Sequence, residues 1–274
     1  MTTINQPLLT AELAQVLEKS DCDVMRGRLH AISQHEGNPY AVEIKEFGRA
    51  TALMAGNFPV IDFNRVYNLG EEEIDHLDEI LAFYAKAGRE FMADIAPHRS
   101  SPKLMQALEE HGFTASHFHT ALYGVPDVSR VQAADGLEVR PITEAEVELF
   151  GEVFTTALET PKHIPERRES NLVLLGDPQW HLYLCWQGNT AIGFAMMQIV
   201  DGVAGFALAA TIPEYRGRGA QAALLHKRMH DAVEAGAHLM VVQCEFGSVS
   251  HRNLQRAGFA TAYTKMIYKK LFRS

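Results

Sequence analysis

Cysteine is scarce in this sequence of 274 residues: Cys22, Cys185 and Cys244 are the three thiols, and no C-x-x-C pair occurs. An odd count without paired spacing argues against a disulfide framework and a structural zinc site. Positive charge is scarce as well. Lys and Arg number 25 against 34 Asp and Glu, for a formal net charge of -9. A nucleic-acid partner is therefore not expected, because phosphate binding needs clustered cations. No apolar run reaches the length of a membrane span. The most hydrophobic stretch, Ala191 to Ile212, is interrupted by Asp201-Gly202, a two-residue hairpin signal. Two paired strands account for it better than a membrane helix. Met1 to Gln6 carry neither the basic region nor the apolar core of a signal peptide, so the expected compartment is the cytoplasm. Hydrophobic residues at 47% and charged residues at 22% are ordinary globular composition. The length admits one large domain or two of usual size.

What is present is a regular alternation of strand and helix patterns. Leu9, Leu13, Val16 and Leu17 recur at helical spacing behind Thr10, a candidate cap. Strand patterns follow at 40–47, 50–55 and 63–69, a helical pattern runs from Gly70 to Lys86, and 91–96 reads as a strand. A helix at 102–111 and a strand at 115–125 close this half. Residues 127–136 are short, polar and turn-rich, and read as a linker between a domain at 1–126 and a second at 137–274. The second half opens with a strand at 137–140 and a helix from about Thr143, where Glu146 completes a capping box. Strands at 180–186, 190–200 and 203–212 are joined by Gly188-Asn189 and Asp201-Gly202, which makes an antiparallel meander. A Gly-rich turn, a helix to Glu234, a strand at 239–244, a helix near 251–257 and a strand at 261–271 complete it. The fold class is mixed α/β, a mostly antiparallel mixed sheet flanked by helices.

The two halves share landmarks. Gly70, Gly88 and Gly112 match Gly219, Gly236 and Gly258 in order and approximate spacing. Ala87-Gly88 and Ala235-Gly236 each precede an apolar strand, and Leu108 and Leu254 each stand four residues before a Gly-Phe pair. The pattern reads as a duplicated domain, although helix-ending glycines recur by chance.

The chemistry is concentrated in Pro213-Glu214-Tyr215-Arg216-Gly217-Arg218-Gly219-Ala220-Gln221-Ala222. A strand ends before it and a helix starts near Gly219. Helix N-termini present free N–H groups and a partial positive charge. Glycines let a phosphate approach the backbone, and two arginines add charge beside it. The segment has the makings of a pyrophosphate cradle. Gly217-x-Gly219-x-x-Ala222 also fits a dinucleotide fingerprint. That motif, however, follows the first strand of a parallel unit directly, whereas here Pro213 to Arg216 intervene after an antiparallel meander.

From Leu137 to Leu271 the sequence resembles the GNAT superfamily of N-acetyltransferases. The resemblance rests on Val139-Arg140-Pro141-Ile142, the meander, the Arg216-Gly217-Arg218-Gly219 turn and Arg256-Ala257-Gly258-Phe259. Arg216 and Gly219 match the family's Q/R-x-x-G-x-G/A signature, while Gln221 stands where Gly or Ala is usual. The resemblance implies acetyl-coenzyme A as cosubstrate. Ala209, Ala210 and Thr211 would pair with its pantetheine arm, and Arg216, Gly217, Arg218, Gly219, Ala220 and Gln221 would hold its pyrophosphate. It implies two GNAT-like domains, the N-terminal one degenerate: Gly70-Glu71-Glu72-Glu73 stands where the cradle would be, with no Arg to offset three carboxylates. The family's usual Tyr position holds Leu254 and its Asn position falls near Ser248. Asn253 is a candidate cofactor contact by another route.

Acyl transfer to an amine needs a neutral amine, an N–H donor for the oxyanion, and a proton for the leaving thiolate. A backbone N–H of the strand ending in Ile212 is the candidate donor. Glu245, at a strand end, is the candidate base, and His251 the candidate proton shuttle. Both residue types are also common on solvated surfaces. His226 and His230 have metal-ligand spacing, but no acidic partner is evident and no metal is expected. Cys185 and Cys244 read as core. The expected acceptor is a small-molecule amine or amino-acid-like amine. A non-catalytic acetyl-coenzyme A sensor stays open as the alternative. The sequence leaves the oligomeric state undetermined.

Overall fold

The computed structural model describes residues 6–58, 61–131, 135–159 and 171–272. Among them, no helix is long and apolar enough to cross a membrane. The chain divides into two compact units. One comprises Leu8–Ala121, Cys244–Ser248 and Thr261–Ser274; the other comprises Met1–Pro7, Leu122–Gln243 and Val249–Ala260. The division is not a single cut in sequence, because the last strand, expected within 137–274, lies in the unit built mainly from the N-terminal half. The expected linker at 127–136 includes a short 3-10 turn at Val128–Arg130, capped by Asp127; residues 132–134 of it lie outside the described residues.

The first unit holds helices α1 (Ala11–Ser33), α2 (Leu77–Lys86) and α3 (Pro102–Glu110). Its strands are β1 (Val42–Phe47), β2 (Ala50–Ala55), β3 (Arg65–Tyr67), β4 (Phe91–Ile95), most of β5 (Thr114–Gly124), and β11 (Ala260–Lys270), which the chain reaches last. They lie in the order β1-β2-β3-β4-β11-β5. β1, β2 and β3 form an antiparallel meander, β3 and β4 are parallel, and β11 is antiparallel to β4. Thr10 caps α1 as expected, accepting from Leu13 N–H. The stretch at 63–69 is shorter as a strand than its apolar pattern predicts, because Ile61–Phe63 coils into a 3-10 turn first. Tyr84 of α2 stacks on Phe91 at 3.9 Å, and its hydroxyl donates to Leu53 O at 2.8 Å. That bond satisfies a polar tip in an otherwise apolar core of Phe47, Val66, Leu77, Leu104 and Leu108.

β11 brings a charge into this unit. Lys265 Nζ lies 2.6 Å from Asp94 Oδ2 and also pairs with Asp21, while Arg65 Nε donates to Asp94 Oδ1 at 2.6 Å. The Lys265–Asp94 contact has ion-pair distance without hydrogen-bond alignment. Burial alone would push the Asp94 carboxyl up, but Arg65 and Lys265 hold it below the usual carboxylate range. Burial likewise works against the Lys265 ammonium, and Asp21 and Asp94 raise it above its ordinary value.

The second unit holds α4 (Val147–Ala157) and α5 (Ala220–Glu234), a short α6 (Val249–Arg256), and strands β6 (Leu137–Pro141), β7 (Trp180–Gln187), β8 (Thr190–Val200), β9 (Val203–Thr211) and β10 (Leu239–Cys244), the last of these through Gln243. β6 to β9 form the antiparallel meander, and β10 returns parallel to β9. The element sequence of meander, helix, parallel strand and helix is therefore the same in both units. Arg140 clamps Glu146 through two bonds of 2.6 and 3.0 Å, and Glu146 also accepts from Thr143 N–H at 2.9 Å, closing the predicted capping box. The two faces of this sheet are set by strand alternation. Phe194 packs against Phe150 and Phe154 of α4 on one face. Tyr183 donates to Asp231 of α5 at 2.7 Å on the other.

Candidate active site

The site is built where two neighbouring strands part. β9 and β10 pair from Val203↔Leu239 to Phe206↔Val242. β9 then runs on to Thr211, so its edge beyond Phe206 carries backbone groups with no β10 partner. On the other side β9 stays paired with β8, except at a bulge. Ala195 is opposite Ala209 and Met197 opposite Phe206, so Ala207 and Leu208 together face Met196 alone. Two residues against one take backbone groups out of the ladder and re-aim them. The Ile212 N–H is not such a group, since it donates to Ile192 O at 2.9 Å.

Beyond Thr211, a 3-10 turn at Pro213–Tyr215 leads to α5. Gly217 has φ +80° and Gly219 φ +88°, the left-handed region that favours glycine. Gly219 caps α5 without any side-chain hydrogen bond. The helical ladder starts at Ala223 N–H, bonded to Gly219 O at 3.0 Å, so the N–H groups of Ala220, Gln221 and Ala222 precede it. An uncapped helix end of this kind suits an anion.

The strand edge and the helix end open into one cleft of about 800 Å³. Of the ten predicted cofactor residues, nine line it: Ala209, Ala210, Thr211, Arg216, Gly217, Gly219, Ala220, Gln221 and Asn253. Arg218 does not. Its guanidinium lies over Tyr215, 5.0 Å from the ring centroid, and donates to Gln187 Oε1 at 3.1 Å. Arg216 donates to Glu159 Oε2 at 3.1 Å, Ala157 O at 3.3 Å and Thr211 O at 3.3 Å, which ties the turn to the end of α4. Two further cations, Arg130 and Arg256, line the cleft, and among the described residues no carboxylate does. Arg256 was legible as part of the closing Gly-Phe motif. Arg130 sits in the stretch read as linker, where nothing in the local sequence signals a site.

The acetyltransferase (GNAT) family model matches residues 143–259. Residues 143–259, less than half of the chain, are thus similar to the GNAT family. No curated protein matches the sequence. Solved structures that the chain resembles include a GCN5-related N-acetyltransferase from Kribbella flavida, 19% identical, with 90% of this chain and 96% of that chain covered at a TM-score of 0.65. A tandem GNAT protein from the clavulanic acid biosynthesis pathway is 13% identical, with 96% of this chain and 97% of that chain covered at 0.59. A GCN5-related N-acetyltransferase from Sphaerobacter thermophilus is 16% identical, with 81% and 80% covered at 0.59. At these identities the likeness is one of fold.

The two predicted catalytic residues of the GNAT segment are not brought into the cleft. Glu245 is exposed in the turn after β10 and groups with the first unit. His251 is buried in α6, 5% exposed, and is not among the lining residues. Leu254, at the usual Tyr position, is 2% exposed. The thiols are core: Cys185 is fully buried and Cys244 8% exposed, and burial pushes each up to about 11. His230 does have acidic neighbours that the sequence reading missed. Its Nδ1 lies 3.3 Å from Asp231 Oδ1 and 3.4 Å from Glu234 Oε2. Asp231 is already engaged by Lys227 and Tyr183.

In the first unit, the helix start at Gly70 is closed by its own chain. Glu73, 2% exposed, accepts from Gly70 N–H at 3.0 Å and from Arg49 N–H at 3.2 Å. Contrary to the expectation that these carboxylates lack a cation, Arg49 pairs with Glu72 at 3.1 Å and Lys103 with Glu71 at 3.0 Å.

Proposed function

We propose that the cleft binds acetyl-coenzyme A and that the GNAT domain transfers its acetyl group to the amine of a small or amino-acid-like acceptor. The observation that carries this reading is the meeting, in one cleft, of an open strand edge, an uncapped helix N-terminus and three arginines, in a protein of net charge -9. The pyrophosphate would lie on the N–H groups of Gly217 to Gln221, with Arg216 beside it. The pantetheine amides would pair with the edge at Ala209 to Thr211 as an added strand does. The bulge at Ala207-Leu208 would supply the N–H for the developing oxyanion. The amine attacks the thioester carbon, the thiolate leaves, and the proton the amine gives up passes to water, since Glu245 does not line the cleft. The first unit is read as a degenerate copy that binds no cofactor, because Glu73 occupies the helix end where a phosphate would sit.

Calorimetry with coenzyme A tests this. Arg216→Ala should weaken binding several-fold at low salt and less at high salt, since an exposed charge is screened. Gly219→Val should weaken it at both, because the left-handed turn disfavours a β-branched residue and the side chain meets the phosphate. Unchanged affinity in both variants would remove the assignment. The buried Leu254 favours a second reading, a sensor that binds acetyl-coenzyme A without turnover, because no protic side chain stands at that position. Acetyl-coenzyme A consumption with a library of amines separates the two.

A further inference from the structure

The face of the second unit's sheet that packs on α4 carries polar groups the fold leaves unused. The register aligns Trp180, Gln198, Gly205 and Val241 in one row across β7, β8, β9 and β10. Phe194, four residues from Gln198 on the same strand, places this row on the α4 face. Gln243, two residues beyond Val241, shares that face. It is also the first residue of β10 past the stretch paired with β9, level with the inner end of the open strand edge. Trp180 is 5% and Gln198 3% exposed. Trp180 Nε1, Gln198 Oε1 and both Gln243 side-chain atoms, Nε2 and Oε1, are buried without a hydrogen-bond partner. The Gln198 Nε2 reaches only Gln179 Oε1, at 3.5 Å.

Buried polar atoms left unpaired are costly, and nearly all such groups in folded proteins find a partner. Here four fall on one face of the sheet: two on the row itself, and two on Gln243, two residues farther along β10 at the inner end of the open strand edge. They include donors and acceptors, and every strand residue of this face from Trp180 to Leu184, Phe194 to Gln198 and Leu239 to Gln243 is uncharged. Such a set does not match an acceptor with a second ammonium group, which calls for carboxylates, nor one with a carboxylate, which calls for a cation. It matches a neutral group that both donates and accepts.

We infer that this row together with Gln243 is the acceptor subsite and that the acceptor is an amine carrying an uncharged amide, as in an amino-acid amide. Gln198 and Gln243 would exchange hydrogen bonds with that amide and so determine specificity. The inference rests on the acetyltransferase reading above.

The test measures coenzyme A binding first, then binding and acetylation of four amines with the cofactor site filled. The amines are alaninamide, alanine, sec-butylamine and spermidine. Alaninamide should bind at least tenfold better than the other three. Gln198→Leu and Gln243→Leu should each lower its affinity about tenfold, the size of one buried hydrogen bond, and leave sec-butylamine and coenzyme A binding unchanged. Gln243→Glu, which keeps the side chain's shape, should shift preference toward spermidine. No preference for alaninamide in the native protein, or a preference that survives all three substitutions, overturns the inference. Unchanged amine binding with a higher melting temperature in the Leu variants would assign these atoms to buried water and also overturn it. Failure of the acetyltransferase reading would show separately, as absent coenzyme A binding before any amine is added.

Discussion

Lys265 offers the sharpest test of how the first unit is held together. Its ammonium is contributed by the last strand and sits among Asp94, Asp21 and Arg65, with a side chain 5% exposed against 3% for Asp94. Lys265→Met keeps the aliphatic length and deletes the charge. Asp94 then keeps Arg65 alone, and Asp21 loses its partner. Breaking a buried ion pair by removing one member costs about 3–5 kcal/mol, because the remaining charge stays desolvated. For a cooperative unit of this size, each kcal/mol is worth about 3–4 °C, so the melting temperature should fall by about 10–20 °C. Asp94→Asn and the double variant complete a thermodynamic cycle, and the double should cost less than the sum by about 1–3 kcal/mol. The pH dependence has a definite sign. Asp94 is held below its unfolded-chain value, so its contribution is present above about pH 3.9 and is lost as the pH falls through the folded value. Lys265 is raised, so its contribution is present below about pH 10.4 and is lost as the pH rises through its folded value. Urea unfolding followed across this range is the assay. A Lys265→Met variant within about 1 kcal/mol of the native protein, or a cycle with no coupling, would refute the view that this charge cluster fastens β11 to the unit.

Three further outcomes follow from the site. Glu245→Gln should leave turnover and coenzyme A binding intact, because Glu245 is exposed and does not line the cleft; a fall of about ten- to a thousandfold in turnover would make it the general base after all. Coenzyme A titration should give one site per chain, because Glu73 caps the helix start in the first unit; a stoichiometry of two would contradict the degenerate-copy reading. Cys22, Cys185 and Cys244 are all buried, with burial raising them to about 12, 11 and 11. Iodoacetamide at neutral pH should leave all three unlabelled in the native protein by mass spectrometry, and rapid labelling of any one would show its thiolate to be accessible.

Local physics made much of this protein legible from sequence. The hairpin at Asp201-Gly202, the capping box of Thr143 and Glu146, the Thr10 cap and the glycine turn before α5 each depend on residues a few positions apart, so their chemistry is written in order along the chain. The cleft between the β9 edge and the start of α5 was legible for the same reason, since the two are consecutive in sequence. Three things were decided only by the tertiary structure. β11 has the pattern of a strand wherever it pairs, and alternation does not say which sheet receives it; the charges of Asp94, Asp21 and Arg65 are distant in sequence and meet Lys265 only when folded. Arg130 reaches the cleft from a polar stretch whose local sequence signals nothing but a turn. Trp180, Gln198 and Gln243 share one face because register sets three strands side by side, and neither their burial nor the unmet bonds of their side-chain atoms can be read from residues that are individually ordinary. Short-range sequence fixes turns and caps because their bonds close within one turn of chain, whereas register, burial and unmet hydrogen bonds are properties of packing between distant segments.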